Sequence, residues 1–150
     1  MPARSAQFHA PAAMASGEVL VPACAEQFIS IDFGKKRVGV AVGNRISRNA
    51  TPCRSITAQG DARLQAIVNL VREWQPHALV LGVPYHPDGA AHANTRAATA
   101  FGHQLASRCH LPVYGVDERY TTTEALALGA TDPDAAAACI ILEQFLNALP

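Results

Sequence analysis

Three carboxylates stand where an acid needs a reason. Asp32 ends the alternating run Phe28-Ile29-Ser30-Ile31, and its neighbours on the same strand face are Ser30 and Phe28. Glu118 follows the apolar run Val113-Tyr114-Gly115-Val116 within Asp117-Glu118-Arg119. Asp134 precedes Ala137, Ala138, Ile141, Leu142, Phe145 and Leu149 at helical steps, which puts its carboxylate on the buried face of a last helix, in the first turn. Asp132 and Pro133 already serve as N-cap and first helical residue, so Asp134 is not needed for capping. A carboxylate ending an apolar face is costly unless a cation or donors meet it. Three carboxylates together repel one another and take up protons unless a divalent ion neutralises them. Oxygen-only ligands suit Mg2+ or Mn2+ rather than zinc, and such ions can activate water and stabilise the leaving oxygen of a phosphodiester. Singly, each acid also has a structural reading. Asp32 can form a turn, Glu118 can be a charged strand end before a helix capped by Thr121 or Thr122, and Asp134 can favour a helix N-terminus. Convergence therefore rests on the fold.

The periodicity predicts an α/β chain. Strands are expected at 28–32, 38–42 and 50–56, joined by connections short enough for antiparallel hairpins. Leu64, Ile67, Val68, Val71 and Trp74 recur at helical spacing over 61–74, and Pro76 ends that helix. A short apolar strand follows at 78–81, stopping at Gly82-Val83-Pro84. A polar loop through Pro87-Asp88-Gly89 leads to a helix at 95–107, a fifth strand at 112–116, and helices at 122–128 and 133–149. Hairpins followed by β-α-β units mean a mixed sheet flanked by helices, and right-handed crossovers give five strands in the order 3-2-1-4-5. In that order Asp32, Glu118 and Asp134 converge at one sheet end.

The 150 residues are one domain's worth of chain with zero formal net charge, so a general polyanion-coating role is not supported. The charges are uneven. Eight basic residues face two acids between Gln27 and Arg72, whereas six acids and one base follow from Asp117 onward. Such a division suits an enzyme that grips phosphates at one place and metal ions at another, although solvated surface would look the same. Cys24, Cys53, Cys109 and Cys139 are far apart without zinc-ligand spacing, which points to reduced thiols in a cytoplasmic protein. No apolar stretch reaches membrane-spanning length. The six histidines are scattered, away from the acidic motifs. Residues 1–26, rich in Ala and Pro, are expected to be a disordered extension, or to reflect an upstream start with Met14 as alternative initiator.

The acids also sit in recognisable motifs. Asp32-Phe33-Gly34-Lys35-Lys36-Arg37-Val38-Gly39-Val40-Ala41, Leu81-Gly82-Val83-Pro84 with Asp88-Gly89, Asp117-Glu118-Arg119 with Thr121-Thr122 and Ala125, and Asp134 with Ala137-Ala138 and Ile141-Leu142 occur in that order. Together they resemble the YqgF family, a bacterial group of RNase H-like proteins linked to Holliday junction resolution and pre-16S rRNA processing. The resemblance covers Phe28 to the C-terminus, with 27–150 as the nuclease domain. It implies an RNase H-like fold and a metal-dependent endonuclease that uses Mg2+ or Mn2+ to process the 5′ end of the 16S rRNA precursor. Asp32, Glu118 and Asp134 would be the catalytic and metal-binding residues, and Lys35, Lys36, Arg37 and Arg119 would bind substrate. The partners implied are nucleic acid, with precursor rRNA favoured over branched DNA, and ribosomal precursor particles; no membrane is implied. Gly43-Asn44 replaces the family's usual Ser-Asp, and the stretch from Glu118 to Asp134 lacks a basic loop common in the family.

Other readings are a non-catalytic RNA-binding ribosome-assembly factor on the same fold, and a Holliday junction resolvase. A phosphotransferase of the actin and sugar-kinase type would need a second, duplicated half for which the chain has no room. Asp32-Phe33-Gly34 matches a kinase metal motif, but no kinase glycine-rich or catalytic loop accompanies it.

Overall fold

The computed structural model describes residues 6–86, 88, 90, 93–119 and 129–150, with Arg119 described by its backbone. Six strands, β1 (Phe8–His9), β2 (Gln27–Asp32), β3 (Val38–Asn44), β4 (Asn49–Ile56), β5 (Ala78–Tyr85) and β6 (Val113–Arg119), form one mixed sheet. Their order is β1-β6-β5-β2-β3-β4. Neighbours β2–β3 and β3–β4 are antiparallel, while β2–β5, β5–β6 and β1–β6 are parallel. The described helices are α1 (Pro11–Ala15), α2 (Gly60–Trp74), α3 (Thr95–Cys109) and α4 (Pro133–Ala148). None of them is long and apolar enough to cross a membrane.

Local chemistry sets these boundaries. Asn44 Oδ1 accepts the Ile46 N–H at 2.7 Å, an Asx turn that reverses the chain between β3 and β4. α2 closes on Gln75 in the left-handed conformation at φ 48°, with Pro76 next to prevent continuation. Pro84 lies inside β5, but β2 has already ended at Asp32, opposite Gly82. Its missing N–H therefore falls beyond the β2 ladder.

The pleat sorts the sheet into two faces. Ile29, Ile31, Val38, Val40, Leu79 and Leu81 pack against Leu64, Ile67 and Leu70 of α2 and Ala98, Phe101 and Leu105 of α3. Phe28, Ala78, Val80 and Tyr114 meet Ile141, Leu142, Phe145 and Leu146 of α4 on the other face. On that second face β3 offers only Gly39, Ala41 and Gly43, which lets α4 sit close to the sheet. A Cβ at Gly43 would be 2.7 Å from Leu142 Cδ2. Ser30 joins the two layers by donating its hydroxyl to the Ala138 carbonyl at 2.7 Å.

The sheet has six strands where five were expected. The expected five are β2–β6 and keep their relative order; the sixth comes from the segment read as a disordered extension. There Phe8 and His9 pair with Val113 and Tyr114, and Phe8 is buried. A two-residue strand has no periodicity to read. β5 and β6 also run further than expected, pairing through Val83↔Asp117, Pro84↔Glu118 and Tyr85↔Arg119. Glu118 is thus within a strand, not past one. The helix expected at 122–128 lies outside the described residues, as do Pro87 and Gly89.

Candidate active site

Asp32 is the last residue of β2 and pairs with Gly39 on β3 and Gly82 on β5. Ser55 on β4 pairs with Gly39, and Val116 on β6 pairs with Gly82. Residues directly opposite on neighbouring strands project from the same face. Ser55, Gly39, Asp32, Gly82 and Val116 therefore make one transverse row beneath α4. The two glycines beside Asp32 leave room for the other two acids. A Cβ at Gly82 would lie 3.0 Å from Glu118 Oε2, and Glu118, two residues past Val116, shares its face. A Cβ at Gly39 would lie 1.8 Å from the carbonyl oxygen of Asp134, so the first turn of α4 rests on the β3 backbone. Glu118 and Asp134 flank Asp32 on its two sides, each over a strand about 4.8 Å away.

The carboxylates have different surroundings. Glu118 is buried at 7% exposure, and Asp32 is half-buried. Asp134 turns toward β4: its Oδ2 pairs with Arg37 Nε and lies 3.3 Å from Ser55 Oγ. Ser55 has one hydroxyl proton to give, and its shorter contact is to Asp132 Oδ1 at 2.6 Å. That same oxygen accepts the Ala135 N–H at 3.1 Å, so Asp132 is the N-cap as expected. Asp32, the Glu118 carboxylate and the start of α4 are thus brought to one sheet end, while the Asp134 carboxylate is directed to Arg37. Among the described residues no three His, Cys, Asp or Glu side chains lie close enough to hold one metal ion. The donor set is nonetheless all carboxylate oxygen, which fits a hard divalent cation. Asp32 and the Glu118 carboxylate share one face of the sheet end, and the Asp134 carboxylate is held by Arg37.

Beside this row lies a basic loop. Lys35, Lys36 and Arg37 are exposed on the connection between β2 and β3, directly after Asp32. The loop is held from beneath by Arg63, which is only 5% exposed. Arg63 donates from Nη1 to the Gly34 carbonyl at 2.9 Å, from Nη2 to Lys35 at 3.0 Å and from Nε to Ala58 at 3.0 Å. Its guanidinium lies over the Phe33 ring at 5.9 Å. Burial lowers its pKa, but a guanidinium starts so high that it remains charged. Gln59 Nε2 donates to the Lys36 carbonyl at 2.6 Å. The sequence reading missed Arg63, whose one cue is a cation beside Leu64 at the start of an amphipathic helix. It also gave no role to Ser55, Gly39 or Gly82. The backbone of Arg119 lies opposite Tyr85.

Comparison with known proteins shows the family and the fold. The model of the family described as "RuvX: Holliday junction resolvase" matches residues 26–148. A protein of Polaromonas sp. named "Putative pre-16S rRNA nuclease" is 62% identical over 125 residues, covering 83% of this chain and 91% of that protein. One of the same name from Albidiferax ferrireducens is 58% identical over 140 residues, covering 93% of this chain and 90% of its own. That alignment is longer than the stretch from residue 26 onward, so it reaches into the N-terminal segment. Among solved structures, T. thermophilus RuvC in complex with a Holliday junction substrate aligns with a TM-score of 0.50 at 15% identity, covering 82% of this chain and 94% of that one. This is a likeness of fold.

Proposed function

Because this chain belongs to the RuvX family, the YqgF group whose motifs its sequence carries, we propose that it is an endonuclease that processes the 5′ end of the 16S rRNA precursor. The observation that carries the reading is the position of Asp32 between two glycines, with the Glu118 carboxylate over one and the start of α4 over the other. This arrangement brings the Glu118 carboxylate and the backbone of the first α4 turn beside Asp32, which supports reading the three acids as one site. Precursor rRNA is favoured over branched DNA because relatives at 62% and 58% identity carry the rRNA name. The likeness to the junction-bound resolvase is one of fold.

Asp32, Glu118 and Asp134 would hold Mg2+ or Mn2+, which when bound activates water and stabilises the leaving oxygen of a phosphodiester. The chain's own residues do the rest. Lys35, Lys36 and Arg37 neutralise backbone phosphates beside Asp32 and fix the register of the strand to be cut. By the family motif Arg119 would also bind substrate. Arg63 holds the Gly34 and Lys35 carbonyls and so fixes the loop that carries the three cations. Gly39 and Gly82 set how closely α4 and Glu118 approach Asp32.

Asp32→Asn, Glu118→Gln and Asp134→Asn should each reduce cleavage of a precursor rRNA by roughly 100-fold or more, with little change in melting temperature. The assay runs with Mg2+ and with Mn2+, on precursor rRNA and on four-way DNA junctions. Full cleavage by Asp134→Asn would remove that residue from the site. A non-catalytic RNA-binding role is favoured by one observation, the engagement of Asp134 with Arg37. Tight RNA binding without cleavage under either metal would establish it instead.

A further inference from the structure

The Asp134 carboxylate has one principal donor. Both of its contacts fall on Oδ2, from Arg37 and from Ser55, and the Ser55 proton is better placed for Asp132. The pair with Arg37 is open to water, with side-chain exposures of 55% for Arg37 and 27% for Asp134. Ion pairs this exposed shift an equilibrium by no more than roughly five-fold, so the contact is weak enough to be exchanged. A divalent ion drawn to Asp32 and Glu118 attracts a third carboxylate more strongly than a single guanidinium does. Arg37, once released, remains on the exposed loop with Lys35 and Lys36, and its planar fork matches a phosphate.

We propose that Arg37 and a divalent cation compete for the Asp134 carboxylate, so that cation binding transfers the Arg37 guanidinium from Asp134 to the substrate backbone. This rests on the reading of Asp32, Glu118 and Asp134 as one cation site. Its consequence is reciprocal: cation and phosphate each favour the arrangement the other needs. Arg37 is then a positioning residue whose removal helps the cation. If it were a fixed brace for Asp134, its removal would hurt.

The sign of that effect is the test. Mn2+ is titrated calorimetrically, without nucleic acid, into the wild-type protein, Arg37→Ala, Lys36→Ala, Asp134→Asn and the double variant Arg37→Ala/Asp134→Asn. Arg37→Ala should bind Mn2+ roughly two- to five-fold more tightly. Lys36→Ala removes the same charge from the same loop without breaking an ion pair to Asp134, and should tighten binding less. In the Asp134→Asn background, Arg37→Ala should give no more than the Lys36→Ala effect. In 15N-labelled protein the Arg37 Nε–H signal should move to the position of a free guanidinium as Mg2+ saturates the site. Weaker or unchanged Mn2+ binding in Arg37→Ala, equal tightening in Lys36→Ala, or an unmoved Nε–H signal at saturation would each overturn the competition while leaving the cation site standing. No Mn2+ binding in any of these proteins would overturn the cation site, and the competition with it.

Discussion

Replacing Gly82 by alanine adds one methyl group between two side chains that matter differently. The new Cβ would sit 2.5 Å from Ile141 Cδ1 and 3.0 Å from Glu118 Oε2. Ile141 Cδ1 is the far end of a side chain and can rotate, at an overpacking cost of about 1 kcal/mol. For a chain of this length that lowers the melting temperature by roughly 2–4 °C. The Glu118 carboxylate must also give way by a few tenths of an ångström, and a displacement near 1 Å already costs about 100-fold in rate. Gly82→Ala should therefore cut cleavage by roughly ten-fold with little loss of stability. Gly39→Ala provides the contrast. Its Cβ would meet the Asp134 carbonyl oxygen at 1.8 Å and the Ala135 nitrogen at 2.8 Å. Both are backbone atoms, so the whole first turn of α4 must lift by about 1.5 Å to restore ordinary contact. That carries the cost to about 3 kcal/mol or more, a fall of roughly 6–12 °C, and disables the site as well. Thermal melts followed by circular dichroism, beside cleavage at saturating Mg2+, separate the two. A Gly82→Ala protein with full activity, or a Gly39→Ala protein melting within a degree or two of wild type, would refute the argument from the glycine row.

Three further outcomes follow from the loop and the thiols. Lys36→Ala/Arg37→Ala should weaken RNA binding across sequences and flatten the slope of log K against log salt by about 0.7 per lost phosphate contact; an unchanged slope in filter binding would place these cations elsewhere. Arg63→Ala strips the Gly34, Lys35 and Ala58 carbonyls of a charged donor and should cost about 2–3 kcal/mol in urea denaturation. Arg63→Lys should recover only part of that, since an ammonium cannot reproduce the fork; full recovery would show that charge alone suffices. Burial pushes the Cys109 thiol up to about 11 and raises Cys139 as well, so both stay protonated at pH 8 and react slowly with a disulfide reagent. Cys24, which is exposed, should be modified first, and fast labelling of Cys109 would contradict its burial.

Some of this was open to sequence reading and some was not, for physical reasons. The α4 face was legible because helical steps from Asp134 pass only through apolar residues, and Ala137, Ala138, Ile141, Leu142 and Phe145 are indeed buried. Asp32 was legible because strand alternation puts it with Ser30 on one face. The extent of β5 and β6 was not, since Gly82, Val83 and Pro84 look like a stop signal until β6 is there to pair with them. The direction of the Asp134 carboxylate was hidden for a different reason. Its partners Arg37 and Ser55 lie 97 and 79 residues away along the chain, and only the cross-sheet register brings them to it. Arg63 looked like an ordinary surface cation because its acceptors are backbone carbonyls, which leave no mark in sequence.

The pairing of β1 with β6 gives the N-terminal segment a structural role. Phe8 fills the space over Gly102, where a Cβ would meet its ring at 2.5 Å, and Pro11 packs on Gly115. A chain with residues 1–13 deleted would lack both residues and the two β1 pairs with Val113 and Tyr114. The edge of β6 would then be open at Val113 and Tyr114 as well, on the kind of surface where strands of separate molecules pair. Residues 8–11 thus shield the start of β6 from association with another molecule, and deleting them would remove that shield.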